Sequence, residues 1–226
     1  MKLKINGFDN EIDFNNGAVN LLEIHNAKCF TNILQIINDK INGVESSEIC
    51  LIDENNEILN MNKEAYLVFD IFNIDYTSKK IINSLYTIIE NNIKTNQDYV
   101  IENMMLKIRN YLIGEINELP FEFTMKQELD IIEVLKLFGV KIDNSCYLTI
   151  LEKLECLIDI MATLKIAKIL IIPNLKQYLS EEEIVEFYKY SMYNNIKLLI
   201  IERINNKKLK YENILRIDDE FDDIFV

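Results

Sequence analysis

The sequence is short of the residues from which nucleotide chemistry is built. It has five glycines, and none stands in a GxxxxGK[ST] or GxGxxG pattern, so no backbone cradle for phosphates can be drawn. That absence argues against a motor or a kinase. Histidine occurs once, as His25, in a single His-x-x-x-Cys pair with Cys29. A nucleophile there would still need an orienting group and an oxyanion site, and the sequence shows neither. The pair is read as a strand-end histidine and a core cysteine. The four cysteines, Cys29, Cys50, Cys146 and Cys156, are scattered without a CxxC pair to seed a zinc or redox site, and are read as reduced, mostly buried thiols. Long apolar runs are missing too. Although 49% of the residues are hydrophobic, none of the runs approaches the roughly 18 residues of a membrane span. The opening Met1-Lys2-Leu3-Lys4-Ile5-Asn6-Gly7 has no apolar core and cleavage site of a secretory signal. The expectation is a soluble, cytoplasmic chain with no membrane partner.

Positive charge is also scarce, with 24 Lys and Arg against 37 Asp and Glu and a net charge of −13. Taken alone, this counts against a surface that meets nucleic acid on every side, because phosphates must be neutralised by Lys and Arg. Local potential governs an encounter, however, so basic residues gathered on one surface would answer the objection. A chain of 226 residues can bury a substantial core as one domain or as a domain with an insertion.

Alternation suits short strands at Leu3–Ile5, Ala18–Ile24 and Ile49–Ile52, with turns at 15–17 and 53–56 and a helix over Cys29–Ile41. From about 63 to 118 the pattern is helical. Tyr99, Val100, Met104, Met105, Ile108, Tyr111 and Leu112 recur at three- and four-residue steps, giving an apolar face that needs a partner. Pro120 breaks this helix. Helices follow from about 127 to Phe138, closed by Gly139, and from Asn144 to Ala162. The last third reads as strand Ala167–Ile172, helix Ser180–Tyr193 with a Ser180/Glu183 capping box, and strand Ile196–Ile201. Both strands are continuous apolar runs, as strands covered on two faces require. The fold class is α/β, with a head domain of mixed, partly parallel sheet (residues 1–60 and 136–226) and an inserted α-helical leg (61–135).

Candidate chemistry is sparse. Residues 53–64 place Asp53, Asn55, Glu57 and Glu64 where a calcium loop has ligands, but Ile58 stands where that loop needs glycine, so a hairpin turn is the better reading. Glu115, Glu118, Glu122 and Glu128 gather near the break at Pro120. Calcium takes six to eight hard oxygens, which carboxylates at a bent junction would help supply; from spacing alone, a solvated charged face is favoured. The basic residues of the later half run from Lys126 through Lys136, Lys141, Lys153, Lys165, Lys168 and Lys176 to the denser Arg203, Lys207, Lys208 and Lys210. Singly each reads as a solvated position, and together they are the plausible phosphate contacts.

The order of segments resembles a known family, the short adaptation protein encoded beside the effector nuclease in type II-A CRISPR loci. The resemblance is carried by residues 131–143 (IIEVLKLFGVKID), by the Lys2-Leu3-Lys4 opening with Asn16-Gly17, and by the apolar strand before Pro173 followed by Leu179-Ser180-Glu181-Glu182-Glu183. It implies an α/β head split by a helical leg and a homotetrameric ring. It also implies sequence-independent capture of double-stranded DNA ends during spacer acquisition, with lysines lining the hole. No catalytic residue is implied. Carried over by position, the implied DNA contacts are Lys136, Lys141, Lys153 and Lys165, with Lys2 and Lys63 outside the hole. Calcium is the implied cofactor, its region mapping onto Glu115, Glu118, Glu122 and Glu128. Other CRISPR adaptation proteins and the effector nuclease are the implied partners. The alternatives carried forward are an adaptation-complex scaffold acting through protein contacts and, ranked lower, a metal-dependent nuclease.

Overall fold

The structure, a computed structural model, describes residues 1–17, 19–95, 99–126, 130–143, 147–204 and 207–226. The chain divides into two compact units, Met1–Tyr76 with Asn144–Val226, and Thr77–Asp143.

The larger unit is built on a six-stranded sheet. Its strands are β3 (Val19–Ile24), β6 (Ala65–Leu67), β7 (Ile169–Pro173), β8 (Lys197–Glu202), β9 (Glu212–Ile217) and β10 (Asp223–Phe225), in the order β10-β9-β3-β8-β7-β6. All neighbours are parallel except β10 on β9. A smaller antiparallel sheet, in the order β2-β1-β4-β5, is made of β1 (Lys2–Ile5), β2 (Ile12–Asp13), β4 (Ile49–Ile52) and β5 (Ile58–Leu59). Strands β3, β7 and β8 are buried at nearly every position, which is why they read as unbroken apolar runs.

Alternation along the strands assigns the two faces of the large sheet. Leu22, Ile24, Leu199, Ile201, Leu215 and Ile217 pack into one core with Phe30, Ile33, Leu34 and Ile37 of α1 (Ala27–Ile41) and with Leu3, Ile5, Ile49 and Leu51 of the small sheet. Each fully buried Leu, Ile or Phe side chain contributes about 1.5–3 kcal/mol. The opposite face carries Glu23, Glu202, Glu212 and Arg216. There α7 (Glu181–Tyr193) reaches Glu212 through the Tyr188 hydroxyl, which donates at 2.9 Å, and α6 (Ile150–Leu164) packs beside α7.

The helix starts follow local chemistry. The Asn26 side chain accepts from the Lys28 and Cys29 amides, so α1 begins two residues before the expected Cys29. Thr149 with Glu152, and Ser180 with Glu183, form capping boxes on α6 and α7. The α6 start therefore falls at Ile150 rather than at Asn144, and residues 144–146 lie outside the described residues. The expected strand Ala18–Ile24 is β3; Ala18 likewise lies outside them.

The insertion boundaries differ from the expected 61 and 135. Residues 61–76 belong to the head, because after the short helix α2 (Met61–Glu64) β6 adds to the sheet, pairing Ala65, Tyr66 and Leu67 with Ile169, Leu170 and Ile171. Tyr76 is buried, its hydroxyl donates to the Lys153 carbonyl at 2.7 Å, and its ring centroid lies 6.4 Å from that of Tyr147. At the other end, residues 136–143 belong to the inserted unit, where the Tyr86 hydroxyl donates to the Val140 carbonyl at 3.0 Å.

The inserted unit holds α3 (Lys79–Thr95), α4 (Val100–Asn117) and α5 (Ile131–Leu137). Helix α3 buries Ile81 and Tyr86, and α5 buries Ile131 and Val134. Helix α4 buries no side chain, and Met104, Ile108, Tyr111 and Leu112 form an exposed stripe at helical spacing. No helix among the described residues is long and apolar enough to cross a membrane.

Candidate nucleic-acid interface

Ligands of open parallel sheets bind at the carboxyl ends of the strands, so that edge is the first place to look for a site. Here it is filled by the chain's own groups. Glu23, 2% exposed near the end of β3, accepts from His25 Nε2 at 2.8 Å and from Arg216 Nε at 3.1 Å. Arg203 Nη2 donates to the His25 carbonyl at 3.2 Å, and Asn26 occupies the first amides of α1. The place where a strand-to-helix turn would meet a phosphate is thus occupied by internal ion pairs and a side-chain cap.

A second buried network lies under α7. The Lys176 ammonium stands 2.6 Å from Glu212 Oε1, and its amide donates to Glu202 Oε1 at 2.8 Å. Glu202 is 1% exposed, and burial pushes its carboxyl up to about 7. The Lys176 amide and charge pull it down, and Glu212 opposes them. Both carboxylates escaped the sequence reading. The signal was present: an acid closing an apolar run, as in Leu198-Leu199-Ile200-Ile201-Glu202, is a charge the sheet must bury and satisfy.

The predicted DNA lysines divide between the units. Lys136, in the last turn of α5, and Lys141 are exposed on the inserted unit. Lys153 and Lys165 belong to the head. Lys153 Nζ donates to the Phe72 carbonyl at 2.9 Å and pulls the nearby Asp70 carboxyl down, after larger contributions from hydrogen bonds. Lys165 is exposed and closes α6 in the left-handed conformation, with φ 51° and ψ 42°. Lys136, Lys141 and Lys165 form no salt bridge among the described residues. The denser run further on is largely engaged. Lys207 pairs with Glu181, Lys208 Nζ donates to the Val226 carbonyl at 2.7 Å, and Lys210 Nζ sits 5.0 Å from the centroid of the Tyr211 ring.

Of the predicted calcium ligands, Glu115 closes the exposed side of α4, Glu118 is its C-cap residue and Glu122 lies beyond it; all three are exposed. Glu128 lies outside the described residues. Among the described residues no three His, Cys, Asp or Glu side chains come together to hold a metal. Glu115, Glu118 and Glu122 therefore do not by themselves fit a calcium centre within one chain, since calcium needs six to eight oxygens around one point.

A model of the CRISPR-associated protein family Cas_Csn2 matches residues 42–220, well over half of the chain. The chain belongs to the Csn2 family. Csn2 proteins are type II-A proteins with a role in CRISPR adaptation and are not known as enzymes. The CRISPR-associated protein Csn2 of Enterococcus faecalis is 27% identical over 156 residues, covering 66% of this chain and 68% of its own length. That of Streptococcus agalactiae is 29% identical over 143 residues, covering 62% of this chain and 63% of its own length. The crystal structure of Stu0660 of Streptococcus thermophilus shares the fold, with a TM-score of 0.55 and 15% identity over 96% of this chain and 74% of that one. The Csn2 assignment bears out the family resemblance and the α/β fold class read from the sequence.

Proposed function

We propose that this Csn2 chain is a non-catalytic binder of double-stranded DNA ends, acting without sequence preference as a homotetrameric ring in spacer acquisition. The observation that carries the reading is the state of the lysines: Lys136, Lys141 and Lys165 are exposed and without salt bridges among the described residues, in a chain with 37 acidic residues. Ammoniums that form no salt bridge among the described residues are available to phosphates, and phosphate contacts position a protein without reading bases. The self-filled crevice at the strand ends supports the non-catalytic half of the proposal. The uncovered stripe of α4 supports self-association, since an exposed apolar face of this kind marks an interaction surface.

Calcium, if it takes part, needs donors beyond Glu115, Glu118 and Glu122. A scaffold acting on other adaptation proteins and the effector nuclease is the second reading. It is favoured by the crowding of Glu155, whose carboxyl is pushed up by burial and by Glu186, Asp159 and Glu152.

The deciding experiment is a gel shift of linear against closed-circular duplex, each with calcium or with chelator. Preference for linear DNA supports threading through a ring. Equal binding to circles points to an open groove, and no binding to either favours the scaffold.

A further inference from the structure

We propose that Lys63, Lys165 and Lys168 form a phosphate seat on the head unit. The proposal rests on the DNA-binding reading only for the source of the phosphate. The three residues line one hollow of about 290 Å³, with Met161, Ala162 and Ile196 in its wall. Lys63 comes from α2, Lys165 closes α6, and Lys168 directly precedes β7.

Charge around the hollow does not cancel. Glu64 is the one carboxylate in its lining, and its Oε2 lies 2.9 Å from Lys168 Nζ. The carboxyl-terminal ends of α6 and α7 also meet there, at Lys165 and Asn194, each worth about half a negative charge. Three ammoniums therefore stand against about two negative charges, leaving roughly one positive charge in excess. Stabilising the helix ends accounts for part of the lysine content and not for all of it. Neither Lys63 nor Lys165 forms a salt bridge among the described residues. The excess of positive charge runs against the net charge of −13 of the chain.

The backbone supplies an independent observation. Two residues in the wall of the hollow, Lys165 and Asn195, lie beyond helix ends at positive φ, 51° and 57°. Glycine and asparagine take that conformation readily, whereas other residues carry a cost of about 1–2 kcal/mol. After α7 the chain uses asparagine, the residue the geometry prefers. After α6 it uses lysine, although asparagine would satisfy the backbone better. A strained position held by a long cation points to a use for the side chain. An ammonium on a flexible stem suits a phosphate as a point charge and reads no base. Lys63, placed outside the DNA surface by sequence reading, belongs to it on this proposal.

The test compares the wild type with a Lys63→Gln/Lys165→Asn double variant; asparagine keeps the left-handed backbone while removing the charge. A Lys40→Gln variant is the control. Affinity for a short linear duplex is measured against salt, and inorganic phosphate is titrated separately by thermal shift. The expected result is weaker duplex binding and a slope of log affinity against log salt reduced by about 1.8 per chain, two contacts at about 0.9 each, with the control unchanged. If duplex binding is unchanged but phosphate raises the Tm of the wild type and not of the double variant, the seat stands and serves a free phosphate. If the wild type binds no duplex at all, the DNA reading fails and the phosphate arm alone decides the seat. No change in either arm overturns the proposal. Should the double variant fail to fold, Lys63→Gln alone is read in the same way, with about half the change in slope.

Discussion

Glu23 on β3 and Arg216 on β9 occupy paired positions in adjacent parallel strands, and the guanidinium Nε lies 3.1 Å from the carboxylate. The carboxylate is almost wholly buried, whereas the arginine is 31% exposed at its side chain. Removing Arg216 takes the guanidinium away from a buried acid that His25 also meets, at 2.8 Å. Breaking a buried pair from one side costs on the order of 3 kcal/mol, because an uncompensated charge stays inside. Arg216→Ala should lose about that much in urea unfolding, while a Glu23→Leu/Arg216→Met pair, which removes both charges, should recover most of it. A loss within about 0.5 kcal/mol for Arg216→Ala, the range of ordinary surface changes, would show that the pair does not matter.

Glu202 makes stability depend on pH. In the unfolded chain its carboxyl ionises near 4.5, and in the folded chain near 7. Between those values the folded state holds the proton more tightly, so stability falls as pH rises from about 4.5 to about 7 and changes no further above that on this group's account. The size is on the order of 3 kcal/mol across the window. Glu202→Gln, still able to accept from the Lys176 amide, should flatten the difference between unfolding free energies at pH 5 and pH 8. An unchanged slope in the variant would assign the pH dependence to other groups.

Lys136→Glu with Lys141→Glu should weaken duplex binding and make the salt dependence shallower by about 0.9 per lost contact, multiplied by the number of subunits engaged. Sequence preference should not move. Intact affinity together with an intact slope would place the DNA surface elsewhere.

On α4, Ile108→Lys with Tyr111→Ser changes two exposed side chains, so the cost to the stability of the single chain should stay within about 0.5 kcal/mol. Sedimentation should instead show a shift toward smaller species at micromolar concentration. A large fall in Tm with unchanged assembly would mean that the stripe is covered within its own chain.

Much of the head was legible because its signals are local. The apolar runs of β3, β7 and β8, the Ser180/Glu183 box of α7 and the periodicity of α1 each lie within a few residues of one another. Strand β6 was not legible. Its three residues, Ala65-Tyr66-Leu67, show too little alternation to mark a strand, and their partner Ile169-Leu170-Ile171 lies about a hundred residues away. The same long-range pairing moved the insertion boundary from 61 to 77. Strand β9 was missed because Glu212, Asn213 and Arg216 interrupt its apolar pattern, and they are tolerated only because Tyr188, Lys176, Asn20 and Glu23 meet them across the fold. At the candidate interface, the lysines could be named from sequence, but which of them are spent on internal partners could not. That Lys153 holds the Phe72 carbonyl while Lys165 forms no salt bridge among the described residues is a property of tertiary contact.

Tyr76 has a consequence for how such a chain can change over time. By donating to the Lys153 carbonyl and lying against Tyr147, it fastens the point where the inserted segment leaves the head to the region where the chain returns. For the head, the insertion then behaves as a closed loop, whose added length costs closure entropy that grows only slowly. Doubling such a loop costs about 0.6 kcal/mol. The arm is therefore the part of this architecture that lineages can lengthen, trim or resurface while the sheet that carries it stays the same.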